Sequence, residues 1–277
     1  MKLATVQMVS GTTVPGNLER ARALLTQAAA AGAEVAVLPE YFCLLGHKDT
    51  DKLAIREPFG DGPIQQFLSD TARSLDMWIV GGTMPLQLAD GTPDATAQRV
   101  TNSSLVFAPT GACVHRYDKI HLFRFDNGHE RFDESRVLLR GHDPVRFVLP
   151  SRDGHAWSIG MSVCYDLRFP EMYRQYARDG ADLLLVPSAF TYTTGQAHWE
   201  LLVRTRAVEN QAYVAAPAQG GVHENGRRTW GHSMLVDPWG VILSERDEGE
   251  GVDVVELELS RLQQVRLQLP ALEHRVL

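Results

Sequence analysis

The feature that most limits how this chain can fold is a set of short apolar runs that stop abruptly at a proline or a reactive side chain. Glu34 to Leu38 ends at Pro39-Glu40, residues 156–163 run into Cys164, and Asp182 to Val186 ends at Pro187-Ser188. Runs of this length and composition read as strands. Further strands are expected at 2–9, 77–82, 212–216, 233–236, 241–244 and 252–257, with a hairpin of 102–108 and 112–118 about Pro109-Thr110-Gly111. Helices are expected between them. One is capped by Asn17 and runs to about Ala31, where Gly32 stops it; one spans Pro63 to Leu75; one starts near Pro170; one spans Gln196 to Glu209; a short one covers 260–268. Strands outnumber helices, and the helices fall between strands in both halves, which gives a layered α/β architecture. The stretch Ala89–Gln98 reads as a loop, and no Gly/Ser-rich linker or internal repeat divides the chain. Residues 1–277 are therefore read as one domain.

Composition narrows the class. A formal net charge of −7 argues against a nucleic-acid-binding surface, although it leaves room for a local basic pocket. No apolar run approaches the length of a membrane span. The start, Met1-Lys2-Leu3-Ala4-Thr5-Val6-Gln7, reads as a strand without signal-peptide organisation. The three cysteines (Cys43, Cys113, Cys164) are too few and too scattered for a disulfide framework, and they fit a reducing cytosol. The expectation is a cytoplasmic enzyme without a membrane or nucleic-acid partner.

Glu40, Lys119 and Cys164 each follow an apolar strand. A thiol at a strand-to-helix junction lies near the positive end of a helix, which favours a nucleophilic thiolate. A glutamate can take the thiol proton and later activate water, and an ammonium can hold an oxyanion. Each also has a plain reading: Cys164 as a small buried hydrophobe, Glu40 as a polar strand end, Lys119 as a partner to Asp118.

The flanking sequences carry more information. They are Leu38-Pro39-Glu40, Tyr117-Asp118-Lys119-Ile120-His121-Leu122-Phe123, and Cys164-Tyr165-Asp166-Leu167-Arg168-Phe169-Pro170-Glu171. Pro187-Ser188-Ala189-Phe190, Arg204-Thr205-Arg206-Ala207 and Gly231-His232-Ser233-Met234 add to them. In order, spacing and flanks the chain resembles the carbon–nitrogen hydrolase (nitrilase) superfamily over nearly its whole length. It is most similar to the Nit branch, and there to the deaminated glutathione amidases, through Ala197-His198-Trp199-Glu200, Val236-Asp237-Pro238-Trp239-Gly240 and Val265-Arg266-Leu267-Gln268-Leu269-Pro270.

The resemblance implies a four-layer α-β-β-α sandwich and amide hydrolysis through a cysteine thioester with release of ammonia. It implies no metal and no organic cofactor, and a homodimer or higher homo-oligomer packed through helices near the nucleophile. The helix after Pro170 and the C-terminal tail are the expected contacts. It makes Cys164 the nucleophile, Glu40 the general base and Lys119 the stabiliser of the tetrahedral intermediate, with the backbone N–H of Tyr165 as a second oxyanion donor. Glu134 matches a second glutamate of the family, with Glu130 as the competing position. Phe190 and Thr191 are expected on the pocket wall, and Arg168 either binds a carboxylate or pairs with Glu171.

Alternatives stay open. His121, two residues after Lys119, could serve as base or as a hydrogen-bonded structural residue, and His198 and Trp199 could serve the pocket, a subunit contact or helix packing. Arg124 stands where many relatives carry an acid. An ω-amidase or nitrilase on another small substrate, and a non-catalytic scaffold or sensor, are the competing functions.

Overall fold

The computed structural model describes residues 1–88 and 99–276, so the loop expected at 89–98 lies outside the described residues. The first half supplies β1 (Lys2–Gln7), α1 (Val14–Ala30), β2 (Val35–Val37), α2 (Asp51–Ala54) and α3 (Pro63–Leu75). It continues through β3 (Trp78–Val80), β4 (Met84–Gln87), β5 (Val100–Phe107) and β6 (Cys113–Asp118). A small hairpin, β7 (Arg124–Asp126) and β8 (Arg131–Asp133), precedes the two-residue β9 (Leu138–Leu139). The second half adds β10 (Arg146–Pro150), β11 (Ala156–Met161), α4 (Pro170–Arg178), β12 (Leu183–Leu185), α5 (Tyr192–Asn210) and β13 (Tyr213–Ala216). Then come the hairpin β14 (Gly220–Val222) and β15 (Arg228–Trp230), followed by β16 (Ser233–Val236), β17 (Ile242–Arg246), β18 (Gly251–Glu256) and α6 (Leu259–Gln268).

These strands form two large sheets. One runs β18-β1-β2-β3-β5-β4, with β6 and β9 also paired to β5; the other runs β10-β11-β12-β13-β16-β17. Strand alternation sorts the first sheet's side chains into two cores. Leu3, Val35, Val37, Val80 and Val106 pack toward the second sheet with Trp157, Ile159 and Leu235. Their neighbours Ala4, Val6, Ala36, Ile79 and Leu105 pack on the helix side with Leu24, Leu25 and Phe67 of α1 and α3. Helix α5 packs on β13 and β16, and α4 joins it over the second sheet through Met172, Tyr173 and Tyr176, whose hydroxyl donates to the Met161 carbonyl. The layers are therefore helix, sheet, sheet, helix.

The parallel triplets β1-β2-β3 and β11-β12-β13 send their carboxyl ends toward Glu40 and Cys164. The two sheets are tied together there. Gln219 donates to the Glu40 carbonyl (3.1 Å) and to the Ser10 hydroxyl (2.7 Å), and Met8 bridges to Gln219. Gly82, at φ +50°, lets two strand ends meet, because a Cβ there would lie 2.0 Å from the Pro39 carbonyl oxygen.

Two helix starts differ from the sequence expectation. α1 begins at Val14, and Asn17 lies one turn inside it, buried. Its side chain accepts from the Gly11 N–H (2.7 Å) and donates to the Gly11 (3.0 Å) and Cys43 (2.9 Å) carbonyls. Asn17 thus satisfies loop backbone groups instead of capping the helix. α5 begins at Tyr192, four residues before Gln196, because the Thr191 side chain caps it by accepting from the Thr194 N–H.

Candidate active site

Cys164 comes three residues after the end of β11 and opens the short 3-10 helix Cys164–Arg168 with φ at +49°, a conformation that side chains with a Cβ rarely adopt. Asp166, wholly buried, locks this turn. It accepts from the Val163 N–H (2.9 Å), the His121 N–H (3.0 Å) and the Tyr117 hydroxyl (2.6 Å), and it contacts His121 Nδ1 at 2.7 Å. His121 also stacks on Phe169, with ring centroids 3.7 Å apart, so its ring is committed to the turn behind the thiol. The Cys164 N–H is occupied by the Pro187 carbonyl (3.0 Å). The next N–H, that of Tyr165, belongs to a first turn whose donors have no partner within the helix.

Lys119 leaves the end of β6 and is fully buried. Its Nζ lies 2.9 Å from Glu40 Oε1 and 2.8 and 3.0 Å from the two oxygens of Glu134. Glu134 is also held by the Tyr41 hydroxyl (2.7 Å) and the Phe123 N–H (2.7 Å). Glu130, the competing position, is half-buried, lies away from Lys119 and accepts from the Thr193 hydroxyl. Asn102 donates from Nδ2 to Glu40 Oε1 (2.9 Å), and its backbone carbonyl accepts from the Lys119 backbone N–H (2.9 Å). One β5 residue therefore fixes both members of the pair.

The charges follow from these contacts. Burial raises the pKa of Glu40 against the pull of Lys119. Burial by itself would raise Glu134 too, but the Lys119 charge and the surrounding hydrogen bonds bring it below the ordinary glutamate value. Lys119 is disfavoured by burial, yet its two carboxylates hold its pKa well above that of a free lysine. Burial and the Glu40 charge push the Cys164 thiol well up, outweighing Lys119 and a hydrogen bond from the Ala189 N–H. Burial and Glu40 thus work against the thiolate that the helix start alone favours.

These groups lie at one pocket. Phe123, Phe132, Tyr165 and Phe190 supply an aromatic lining, and Thr191, Lys52, Arg168 and Arg227 supply polar and cationic groups. Phe190 and Thr191 thus stand on the wall where the sequence placed them. Arg168 lies over the rings of Tyr165 and Phe190, with its Nη1 3.3 Å from His198 Nδ1. Trp199 is buried against Phe190 and donates to the His232 carbonyl (2.7 Å). Cys43 is buried away from the pocket, its pKa pushed up to about 12 by desolvation.

The residues that sequence reasoning missed are Tyr41, Lys52, Asn102, Asp166 and Arg227. The signal for Asn102 was present: β5 carries the polar run Thr101-Asn102-Ser103-Ser104 in a strand whose eight residues are all buried.

The family model for carbon-nitrogen hydrolase matches residues 2–267. The chain belongs to the carbon–nitrogen hydrolase family. It is an enzyme of that class, a hydrolase acting on carbon–nitrogen bonds other than peptide bonds. It is 39% identical over 275 residues to a deaminated glutathione amidase of Synechocystis sp., covering 99% of this chain and 97% of that one. It is 38% identical over 276 residues to an omega-amidase of Danio rerio, covering 99% and 94%. Among solved structures, Saccharomyces cerevisiae Nit3, a member of branch 10 of the nitrilase superfamily, is similar with a TM-score of 0.86 at 30% identity, covering 100% of this chain and 97% of that one. These full-length relatives of this carbon–nitrogen hydrolase support amidase activity on small amides. Among the described residues no helix is long and apolar enough to cross a membrane.

Proposed function

We propose that this protein is a cysteine-dependent amidase whose substrate is a small carboxylate-bearing amide, deaminated glutathione first. The observation that carries the reading is the buried Glu40–Lys119–Glu134 group beside a thiol held on a strained turn. The deaminated glutathione amidase relative supports the substrate.

In this reading Glu40 takes the Cys164 proton as Sγ attacks the amide carbon, and the C=O electrons move onto oxygen. Lys119 and the Tyr165 N–H stabilise that oxyanion. The oxyanion collapses, the C–N bond breaks, and Glu40 returns its proton to the departing nitrogen. A thioester remains. Glu40 then takes a proton from water, the hydroxide attacks, and Sγ leaves with the proton to restore the thiol. No step draws on a metal or organic cofactor. Glu134 acts by holding Lys119.

The leaving group depends on the substrate. A primary ω-amide releases ammonia, as the family resemblance implied. Deaminated glutathione, in which a keto group replaces the amine, releases cysteinylglycine instead. The omega-amidase relative keeps the primary-amide reading in place as the second one. The test is a panel of deaminated glutathione, primary ω-amides of keto acids, and nitriles. Fastest turnover of deaminated glutathione is expected, with none in Cys164→Ala. A nitrile hydrolysed far faster than any amide would sink the amidase reading, and equal alkylation of all three cysteines would favour a non-catalytic scaffold.

We also propose that residues 1–277 form one catalytic unit, that it works in the cytosol, and that it forms a homodimer. The support for the dimer is apolar exposure: Leu201 and Val208 on α5, beside Trp239 and Val241 in the turn between β16 and β17. Arg204 donates to the Gly240 carbonyl there (3.0 Å), which joins helix and turn into one face. The exposed side of α4 is polar, so this proposal moves the contact from the helix after Pro170 to α5.

A further inference from the structure

Arg227 stands where the pocket over Cys164 meets a second groove. Phe132, Thr191 and Arg227 line both, and the groove continues past Tyr192, Asn225 and Thr229. An amide seated with its carbonyl carbon at Cys164 has two ends, the acyl chain and the amine that departs. A pocket with an open continuation has room for both.

The chemistry at that junction is specific. The Arg227 guanidinium is half-buried and lies over the Phe132 ring, 5.2 Å from its centroid. Its neighbour Arg228 is paired with Glu248 at 2.6 Å, whereas Arg227 is in no ion pair among the described residues. Lys52 lines the same pocket, 4.5 Å from the centre of the Tyr41 ring, with Asp49 at 3.7 Å. Burial lowers the pKa of Lys52; Asp49 and Glu134 oppose that, and the Arg227 charge adds to it, as expected of two cations facing one space. The turn that carries Arg227 is fixed. Its N–H donates to Asn225 Oδ1 (2.9 Å), its carbonyl accepts from the His223 N–H (2.8 Å), and Asn225 Nδ2 donates to the carbonyls of Leu45 (3.1 Å) and Gly46 (2.7 Å) in the loop after Glu40. A half-buried guanidinium without a counter-ion, held by its backbone and stacked on a ring, is a preorganised fork for a carboxylate.

We propose that Arg227 receives a carboxylate carried by the leaving amine, the C-terminal carboxylate of cysteinylglycine when deaminated glutathione is the substrate. This rests on the amidase reading above and adds the leaving-group side of the site to it. Arg227 then selects peptide-like amides over primary amides with the same acyl chain.

The test compares wild type, Arg227→Met and Arg227→Lys on three substrates: deaminated glutathione, its C-terminal glycinamide analogue, and the primary amide of the same keto acid. One charge-assisted hydrogen-bonding contact corresponds to about a tenfold to hundredfold change. In Arg227→Met the KM for deaminated glutathione should rise by that factor, at least tenfold more than for the primary amide, with kcat changing less than KM. Wild type should show a similar rise on the glycinamide analogue, and Arg227→Met should no longer distinguish the two peptides. Arg227→Lys should recover part of the loss. Equal losses on all three substrates, or no rise on deaminated glutathione, would overturn the assignment. Wild type that hydrolyses only the primary amide overturns the leaving-group assignment and spares the amidase reading, whereas wild type inactive on all three overturns both.

Discussion

Replacing Asn102 by leucine should move the acid limb of the pH–rate profile upward. Glu40 Oε1 accepts from two donors, Lys119 Nζ and Asn102 Nδ2, each at 2.9 Å. The other oxygen, Oε2, is therefore the one left to take a proton. The Asn102 donor is neutral and favours the ionised carboxylate. Removing it favours the protonated form, so the already raised pKa of Glu40 must rise further. A buried hydrogen bond to a charged group contributes about 1.5–3 kcal/mol, and a pKa unit corresponds to about 1.4 kcal/mol, so the shift should be roughly one to two units. The base works ionised, so at any pH on the acid limb the variant is slower, and it recovers as pH rises. Leucine keeps the branching and the number of side-chain heavy atoms, and the amide oxygen of Asn102 has no hydrogen-bond partner, so the swap removes a single side-chain hydrogen bond. The assay is kcat/KM against pH on a primary amide, whose acid limb reports the base of the free enzyme. The pH dependence of Cys164 alkylation gives a second readout, and a thermal melt checks folding. A variant slower by the same factor at every pH, with its acid limb unmoved, would refute the argument and leave Asn102 as a packing residue.

Two further outcomes follow from the same geometry. Lys119→Met should abolish activity and destabilise the fold by about 3–5 kcal/mol, since it leaves two buried carboxylates without their shared cation; their folded pKa values then lie above the unfolded ones, so a melt should show stability recovered below about pH 4 and lost as pH rises. Iodoacetamide at neutral pH should modify Cys164 faster than Cys113 and leave Cys43 unlabelled, read by peptide mass; Glu40→Gln should slow Cys164 selectively, and retained speed would remove Glu40 from the base role.

Much of the fold was legible because buried strands advertise themselves. The runs Glu34–Leu38 and Asp182–Val186 are short and apolar, and the structure pairs them in parallel with β1 and β11. What the runs could not show is which sheet each joins, since both sheets want the same residues. Asn17 was misread because capping and loop-bridging use the same side chain, and only the position of Cys43 decides between them. Thr191 was legible as pocket wall but not as the cap that starts α5 four residues early. The site was legible as a set of residue types at strand ends. Its charge balance was not: whether Cys164 rests as thiol or thiolate depends on burial and on the distance to Glu40, and neither is a property of the local sequence.

In the mechanism proposed above, the second glutamate explains how a carboxylate can serve as base in so closed a site. Before attack, that mechanism has Cys164 protonated, Glu40 and Glu134 as anions and Lys119 as a cation. When the thiol proton passes to Glu40, one anion disappears from carboxylate oxygen and another appears on sulfur, so the net charge of the buried group is unchanged. A neutral histidine in that place would instead create a new ion pair in low dielectric at each transfer. The exchange works only if Lys119 stays protonated throughout and Glu134 stays ionised. The first is met because two carboxylates raise Lys119 well above its ordinary pKa. The second is met because the Tyr41 hydroxyl, the Phe123 N–H and Lys119 itself all donate to Glu134. Glu134 is thus the fixed counter-ion. It leaves the Lys119 charge to follow the anion from Glu40 to the sulfur and then to the oxyanion, and for that reason Glu134 is poorly suited to be a base itself.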